Sequence, residues 1–134
     1  MSETTTEEII KIVEDFHQNM GRLSPDEATA LFKDDGYIQM MMKEPYSGRD
    51  EIHQMFSAWS SNYTDVITVP RTVTGQDNRV AVEWLDTSDH NGKHYEIPVC
   101  AMFEFDGNKI AAWRLYYDYA AERGQDAGLK PPVE

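Results

Sequence analysis

Asp86 stands where a carboxylate is costly. In the run Arg79-Val80-Ala81-Val82-Glu83-Trp84-Leu85-Asp86, alternate positions read Val80, Val82, Trp84 and Asp86. A β-strand places those four on one face. Three of them are apolar, so the face turns toward a core and carries Asp86 with it. A carboxylate in apolar surroundings is paired, or held neutral by a raised pKa. Such a group is a candidate general acid or base. The competing reading sets Asp86 at the strand end, solvated beside the turn His90-Asn91-Gly92. Tyr63 and Tyr117 are the candidate partners, because a buried phenol needs a hydrogen bond and can give one to a substrate oxygen or to Asp86.

The other reactive residue types are less suggestive. His17, His53, His90 and His94 lack metal-ligand spacing, and each is expected at the surface. His53, one helical turn from Phe56, is the nearest to a pocket rim. No nucleophile motif, phosphate loop or dinucleotide signature is present. No metal and no cofactor is expected.

Alternation supplies a lining for any pocket beside Asp86. Trp113, Leu115, Tyr117 and Tyr119 share one face of the last strand, and Ile97 and Val99 lie among the inward positions of the strand before it. Ile38, Met40 and Met42 form a matching set opposite, and Trp59 joins Tyr63 from a helix. The substrate-binding candidates are therefore Ile38, Met40, Trp59, Trp84, Ile97, Val99, Trp113 and Leu115. Aromatic side chains at strand spacing also build filled cores, which is the alternative for each of them.

The elements that must hold these residues follow from period and punctuation. A threonine cap and the acidic first turn Glu7-Glu8 open a helix over 6–20, with Ile9, Val13, Phe16 and Met20 on one face and Gly21 as its stop. Ser24-Pro25-Asp26-Glu27 is a capping box and opens a second helix reaching Leu31 and Phe32. Lys33-Asp34-Asp35-Gly36 reads as a turn and 37–42 as a strand. Ser47-Gly48-Arg49-Asp50 opens a third helix, with Ile52, Met55, Phe56 and Trp59 inward. The period then falls to two. Strands are expected over 65–71, 78–88, 93–105 and 109–119, with Asn91-Gly92 and Asp106-Gly107 as hairpin dipeptides. A short helix over 120–123 and a loose tail over 124–134 close the chain.

Helices followed by a meander of long strands give an α+β fold: a cone of curved antiparallel sheet packed on about three N-terminal helices, with a pocket between the layers. One domain over 1–123 is expected. The chain has 134 residues, is 40% hydrophobic and carries a formal net charge of −12. That balance argues against nucleic-acid or anionic-membrane partners, which require clustered cations. Cys100 is the single cysteine, so no internal disulfide forms. The start MSETTTEEII is too polar for a secretory signal, and no apolar run approaches about 18 residues. A cytoplasmic protein is expected. Cys100, Met102, Ile110 and Tyr116 fall on the outer sheet face and predict a homodimer, with Arg114 and Asp118 spaced for an interfacial ion pair.

Gly48-Arg49-Asp50, Glu83-Trp84-Leu85-Asp86 and the hairpin from Val99 to Asp118, with its Phe105-Asp106-Gly107-Asn108-Lys109 turn, carry a resemblance over nearly the whole chain. The sequence resembles the nuclear-transport-factor-2-like superfamily, which includes ketosteroid isomerases, polyketide cyclases of the SnoaL type and limonene-epoxide hydrolases. The local likeness is greatest to the last. In that branch an Asp–Arg–Asp set works on the epoxide and its attacking water, and a Tyr and an Asn hold the water. The resemblance places the epoxide-protonating acid on Asp86. The Arg position falls on Trp84, the second Asp on Leu115, and the Tyr and Asn on Ile38 and Met40. The base, protonated Asp and Tyr of ketosteroid isomerases fall near Gln39 or Met40, Cys100 or Ala101, and Phe16, so that set is not kept.

Two functions follow. The first is an enzyme in which a small hydrophobic, terpenoid- or polyketide-like molecule enters the cone and Asp86 moves a proton. Without the family's water-holding set, rearrangement, isomerisation or cyclisation is favoured over hydrolysis. The second is a non-catalytic binding or assembly module of the same fold. An open cavity beside Asp86 separates the first from the second, which predicts a collapsed one.

Overall fold

The computed structural model describes residues 4–41 and 43–118. Its elements are α1 (Thr6–Asn19), α2 (Pro25–Thr29), β1 (Phe32–Met40), β2 (Tyr46–Ser47), α3 (Gly48–Asn62), β3 (Thr64–Ile67), β4 (Pro70–Gln76), β5 (Arg79–His90), β6 (Lys93–Asp106) and β7 (Lys109–Tyr117). The fold is α+β. One curved, open sheet runs in the order β2-β1-β7-β6-β5-β3, with β4 also on β5, and the helices pack against it. The short helix expected over 120–123, the tail 124–134, Met42 and Tyr119 lie outside the described residues.

Local chemistry explains the helices. The Thr5 side chain accepts from Glu8 N at 3.1 Å and caps α1. Ile9, Val13, Phe16 and Met20 bury its apolar stripe. In α2 the Ser24 and Glu27 side chains each accept the other's backbone N–H, so the capping box is complete. This helix ends at Thr29, short of Phe32, which opens β1.

The stretch Lys33-Asp34-Asp35-Gly36, expected as a turn, runs inside β1. Its residues form a register shift between Phe32 and Tyr37. The bulge turns the charges outward, where Lys33 meets Asp106 at 2.9 Å and Arg49 meets Asp34 at 2.9 Å. Arg49 also donates twice to the Phe32 carbonyl. A Cβ at Gly36 would sit 2.9 Å from the Ile110 carbonyl oxygen, so the close approach to β7 requires glycine. Strand pairing overrides the local turn preference here.

The sheet is not wholly antiparallel. β1 lies parallel to β7, with Ile38 opposite Trp113 and Met40 opposite Leu115. The expected strand 65–71 is two, β3 and β4, both on β5. The break falls at Thr68, which is buried against His17. The Thr68 hydroxyl donates to the His17 carbonyl at 2.8 Å, and His17 Nδ1–H donates to the Thr68 carbonyl at 2.9 Å. His17 is thus a core residue, not the surface residue expected. Its ring packs on Trp84, Phe16 and Phe103.

A second irregularity corrects Ile110. Opposite Glu104 and Phe105, β7 presents Ala112 and Ile110, which leaves Ala111 as an extra residue. The bulge shifts the alternation by one, so Ile110 and Trp113 both face inward. Ile110 is fully buried and forms no outer face. Within the chain Arg114 donates to the Tyr37 hydroxyl at 2.9 Å and to Glu104 at 3.2 Å. No helix among the described residues is long and apolar enough to cross a membrane.

Candidate functional site

The β5 alternation holds. Val80, Val82 and Trp84 are buried in register with Phe103, Ala101 and Val99. Asp86 follows on the same face, opposite Ile97. Asp86 is half-buried, and the loss of solvation at its carboxyl pushes its pKa up to about 6. A hydrogen bond from Trp84 Nε1–H to Asp86 Oδ2, at 3.4 Å, works in the opposite sense and only partly offsets burial. A carboxyl with that pKa is present in both proton states near neutral pH, which suits a donor or an acceptor.

Asp86 opens onto a cavity of about 350 Å³ between the sheet and α3, within the range of small-ligand sites. Trp84, Ile97, Val99, Trp113, Leu115 and Tyr117 line its sheet side, Met40 stands at the end of β1, and Trp59 and Tyr63 come from the end of α3. Every residue proposed for the site from the sequence therefore touches the cavity except Ile38. That side chain is fully buried beneath it, in the core opposite Trp113. It is one row deeper than Met40, and the sheet's inner face is filled there.

Polar groups that sequence reasoning missed also line the space: Ser88, Asn62, Gln54, Lys43 and Tyr46. Two were legible. Ser88 continues the series Val82, Trp84, Asp86 and is buried. Asn62 continues Met55, Ala58 and Trp59 at helical spacing. Lys43 and Tyr46 sit on the irregular segment after β1 and at β2, where no period marks them.

Tyr63 is held by the tip of the β5–β6 hairpin. Its ring stacks on His90 at 4.8 Å and meets the edge of Tyr95 at 6.5 Å. His90 Nδ1–H donates to the Asn62 carbonyl at 2.6 Å, which ties the hairpin to the end of α3. The turn itself carries positive φ at Asn91 and Gly92, the type I′ pattern. His53 lies outside the cavity lining and bonds Asp26 at 2.7 Å. His94 pairs with Asp89 and Glu96, and Asp89, the larger influence, raises its pKa. Among the described residues no cluster of His, Cys, Asp and Glu has the makings of a metal site.

The positions that the resemblance assigned to water activation are Trp84, Leu115 and Met40 in the cavity wall and Ile38 beneath it. None carries a group that binds water through an acid, an amide or a guanidinium. What the site offers is one carboxyl, tyrosine hydroxyls, the polar groups of Ser88, Asn62, Gln54 and Lys43, and large apolar walls.

A sequence model of the SnoaL-like domain family matches residues 13–113. No curated protein matches the sequence significantly. An epoxide hydrolase of the LEH-like type from M. tuberculosis is similar in structure, with a TM-score of 0.77 and 21% identity over 87% of this chain and 86% of that one. A Catenulispora acidiphila protein of ketosteroid isomerase-like fold, solved with trimethylamine, has a TM-score of 0.76 and 19% identity over 95% and 100% of the two chains. PrhC from Penicillium brasilianum has a TM-score of 0.80 and 13% identity over 90% and 86%. At these identities the structural likeness speaks to the fold.

Proposed function

Because the chain belongs to the SnoaL-like domain family, we propose that it is a cofactor-independent enzyme in which Asp86 performs general acid/base catalysis on a small hydrophobic substrate. The observation that carries this reading is an open cavity of about 350 Å³ with a carboxyl of raised pKa in its wall. A non-catalytic assembly module of the same fold needs neither feature.

The substrate is terpenoid- or polyketide-like, matched to the apolar and aromatic walls. The reaction is an epoxide opening with rearrangement, an isomerisation or a cyclisation. Protonated Asp86 gives its proton to a substrate oxygen as the carbon–oxygen bond breaks. The carboxylate then takes a proton from a neighbouring carbon, which restores the acid. Tyr63 and Tyr117 hold the substrate oxygen through their hydroxyls. Apolar side chains at Trp84, Leu115 and Met40 favour this course over attack by water. The protein works in the cytoplasm as a homodimer.

Asp86→Asn tests the proposal. It keeps the shape and removes the proton, so turnover of an epoxide or enone substrate should fall by about 10²-fold or more, with ligand binding retained. Unchanged turnover in that variant would overturn the role of Asp86. Diol formation from a limonene-type epoxide by the unmodified protein would overturn the preference for rearrangement.

A further inference from the structure

The cavity has a second chemical character that proton transfer does not use. Its walls carry the aromatic rings of Trp59, Trp84, Tyr46, Tyr63 and Tyr117, and Asp86 is the only carboxylate that reaches it among the described residues. Aromatic faces attract cations through the ring quadrupole, the more so where water is excluded. A carboxylate in the same enclosure supplies the countercharge. We infer that this cavity binds a lipophilic organic cation, an alkylammonium whose N–H meets Asp86 and whose carbon groups lie against the aromatic walls.

The inference shares the cavity with the proposed reaction and rests on Asp86, but it does not depend on turnover. Several other groups bear on the charge at Asp86. Lys43 faces the cavity from the segment after β1, and Tyr46, Tyr63 and Tyr117 face it from β2, α3 and β7. His17 lies behind Trp84, and burial lowers its pKa to about 4, so it is neutral. Burial disfavours the ionised carboxylate of Asp86, and an ammonium that enters beside it relieves that cost. A neutral ketone of the same size has the opposite requirement, because its carbonyl accepts from the protonated acid.

Calorimetric titration with N,N-dimethylcyclohexylamine, which is protonated throughout the range, and with cyclohexyl methyl ketone distinguishes the two. The raised pKa of Asp86 makes the amine bind about tenfold tighter near pH 7.5 than near pH 5, while the ketone gains nothing on going to the higher pH. In Asp86→Asn the amine should lose about tenfold at the higher pH, together with its pH dependence. Equal affinities for amine and ketone near pH 7.5, a pH-independent amine affinity in the unmodified protein, or undiminished amine binding by Asp86→Asn would overturn the inference. A protein that binds the amine yet turns over no epoxide keeps the inference and loses the reaction; the reverse result does the opposite.

Discussion

Trp84 and Asp86 lie two residues apart on one face of β5, and the indole N–H of the first donates to the carboxylate of the second at 3.4 Å. The strand period makes the contact. The resemblance in sequence puts an arginine position at Trp84, so a neutral donor stands where a cation would hold the acid ionised. The indole favours the charged carboxylate weakly, and burial outweighs it. Trp84→Phe removes the donor and keeps an aromatic ring. The Asp86 midpoint should then move further up, by roughly half a unit to one unit. The shift is read from carboxyl carbon chemical shifts or from the pH–rate profile. An unmoved midpoint would show that the contact carries no electrostatic weight.

Ile38→Tyr checks where the cavity ends. Ile38 is fully buried below the cavity floor, with Trp113 as its neighbour on β7. A tyrosine there has no space to enter, so overpacking should cost about 1–3 kcal/mol in urea unfolding. Trp84→Arg and Leu115→Asp introduce groups that reach the cavity. If water attack was lost through these wall positions, the pair should restore some epoxide hydrolysis without Ile38→Tyr. A stable Ile38→Tyr protein would mean that the cavity extends deeper than the sheet's inner row shows.

The lining of the cavity was more legible than the path of the chain that supports it. Alternation along β5 and β7 placed Asp86, Trp84, Trp113 and Leu115, because a half-buried strand shows its period in its own residues. The parallel pairing of β1 with β7 was not legible, since it joins segments separated by most of the chain. The charged run 33–36 mimics a turn, and only the bulge against β7 turns it into strand. Ile110 was misplaced because one extra residue at Ala111 inverts a periodic argument. His17 was assigned to the surface by its residue type, although it stands four residues after Val13 and three before Met20 on the apolar stripe of α1; only its hydrogen-bond partner, Thr68, lies far along the chain.

The outer sheet face makes an assembly prediction. Cys100 is exposed, Tyr116 is 47% exposed, and the two are cross-strand neighbours; Met102 beside them is half-buried. The corrected register removes Ile110 from this patch, which leaves it smaller and confined to the middle of β6 and the C-terminal end of β7. A second copy is expected to cover it. Sedimentation at concentrations on the order of tens of micromolar should show a dimer, and Tyr116→Glu should give a monomer of unchanged fold. A monomeric unmodified protein at those concentrations removes the prediction.

Asp86 and His17 impose opposite pH dependences on stability. The folded-state pKa of Asp86 is about 6, against an ordinary 3.8. Between those values the folded state holds a proton that the unfolded state has lost, so stability falls as pH rises through the window, by about 3 kcal/mol in all. His17 is depressed to about 4 from 6.5. In its window the unfolded state holds the extra proton, so stability falls as pH drops, again by about 3 kcal/mol. The two windows overlap, and their slopes nearly cancel between about pH 4 and pH 6 in the unmodified protein. Asp86→Asn unmasks the histidine. Relative to the unmodified chain, the variant should gain about 2.5 kcal/mol on going from about pH 4 to pH 7.5, and its own stability should drop steeply below about pH 6.5. Urea unfolding of both proteins at the two pH values measures this. A constant difference between them would mean that the Asp86 carboxyl titrates alike in the folded and unfolded chains, and its role as a poised acid would go with it.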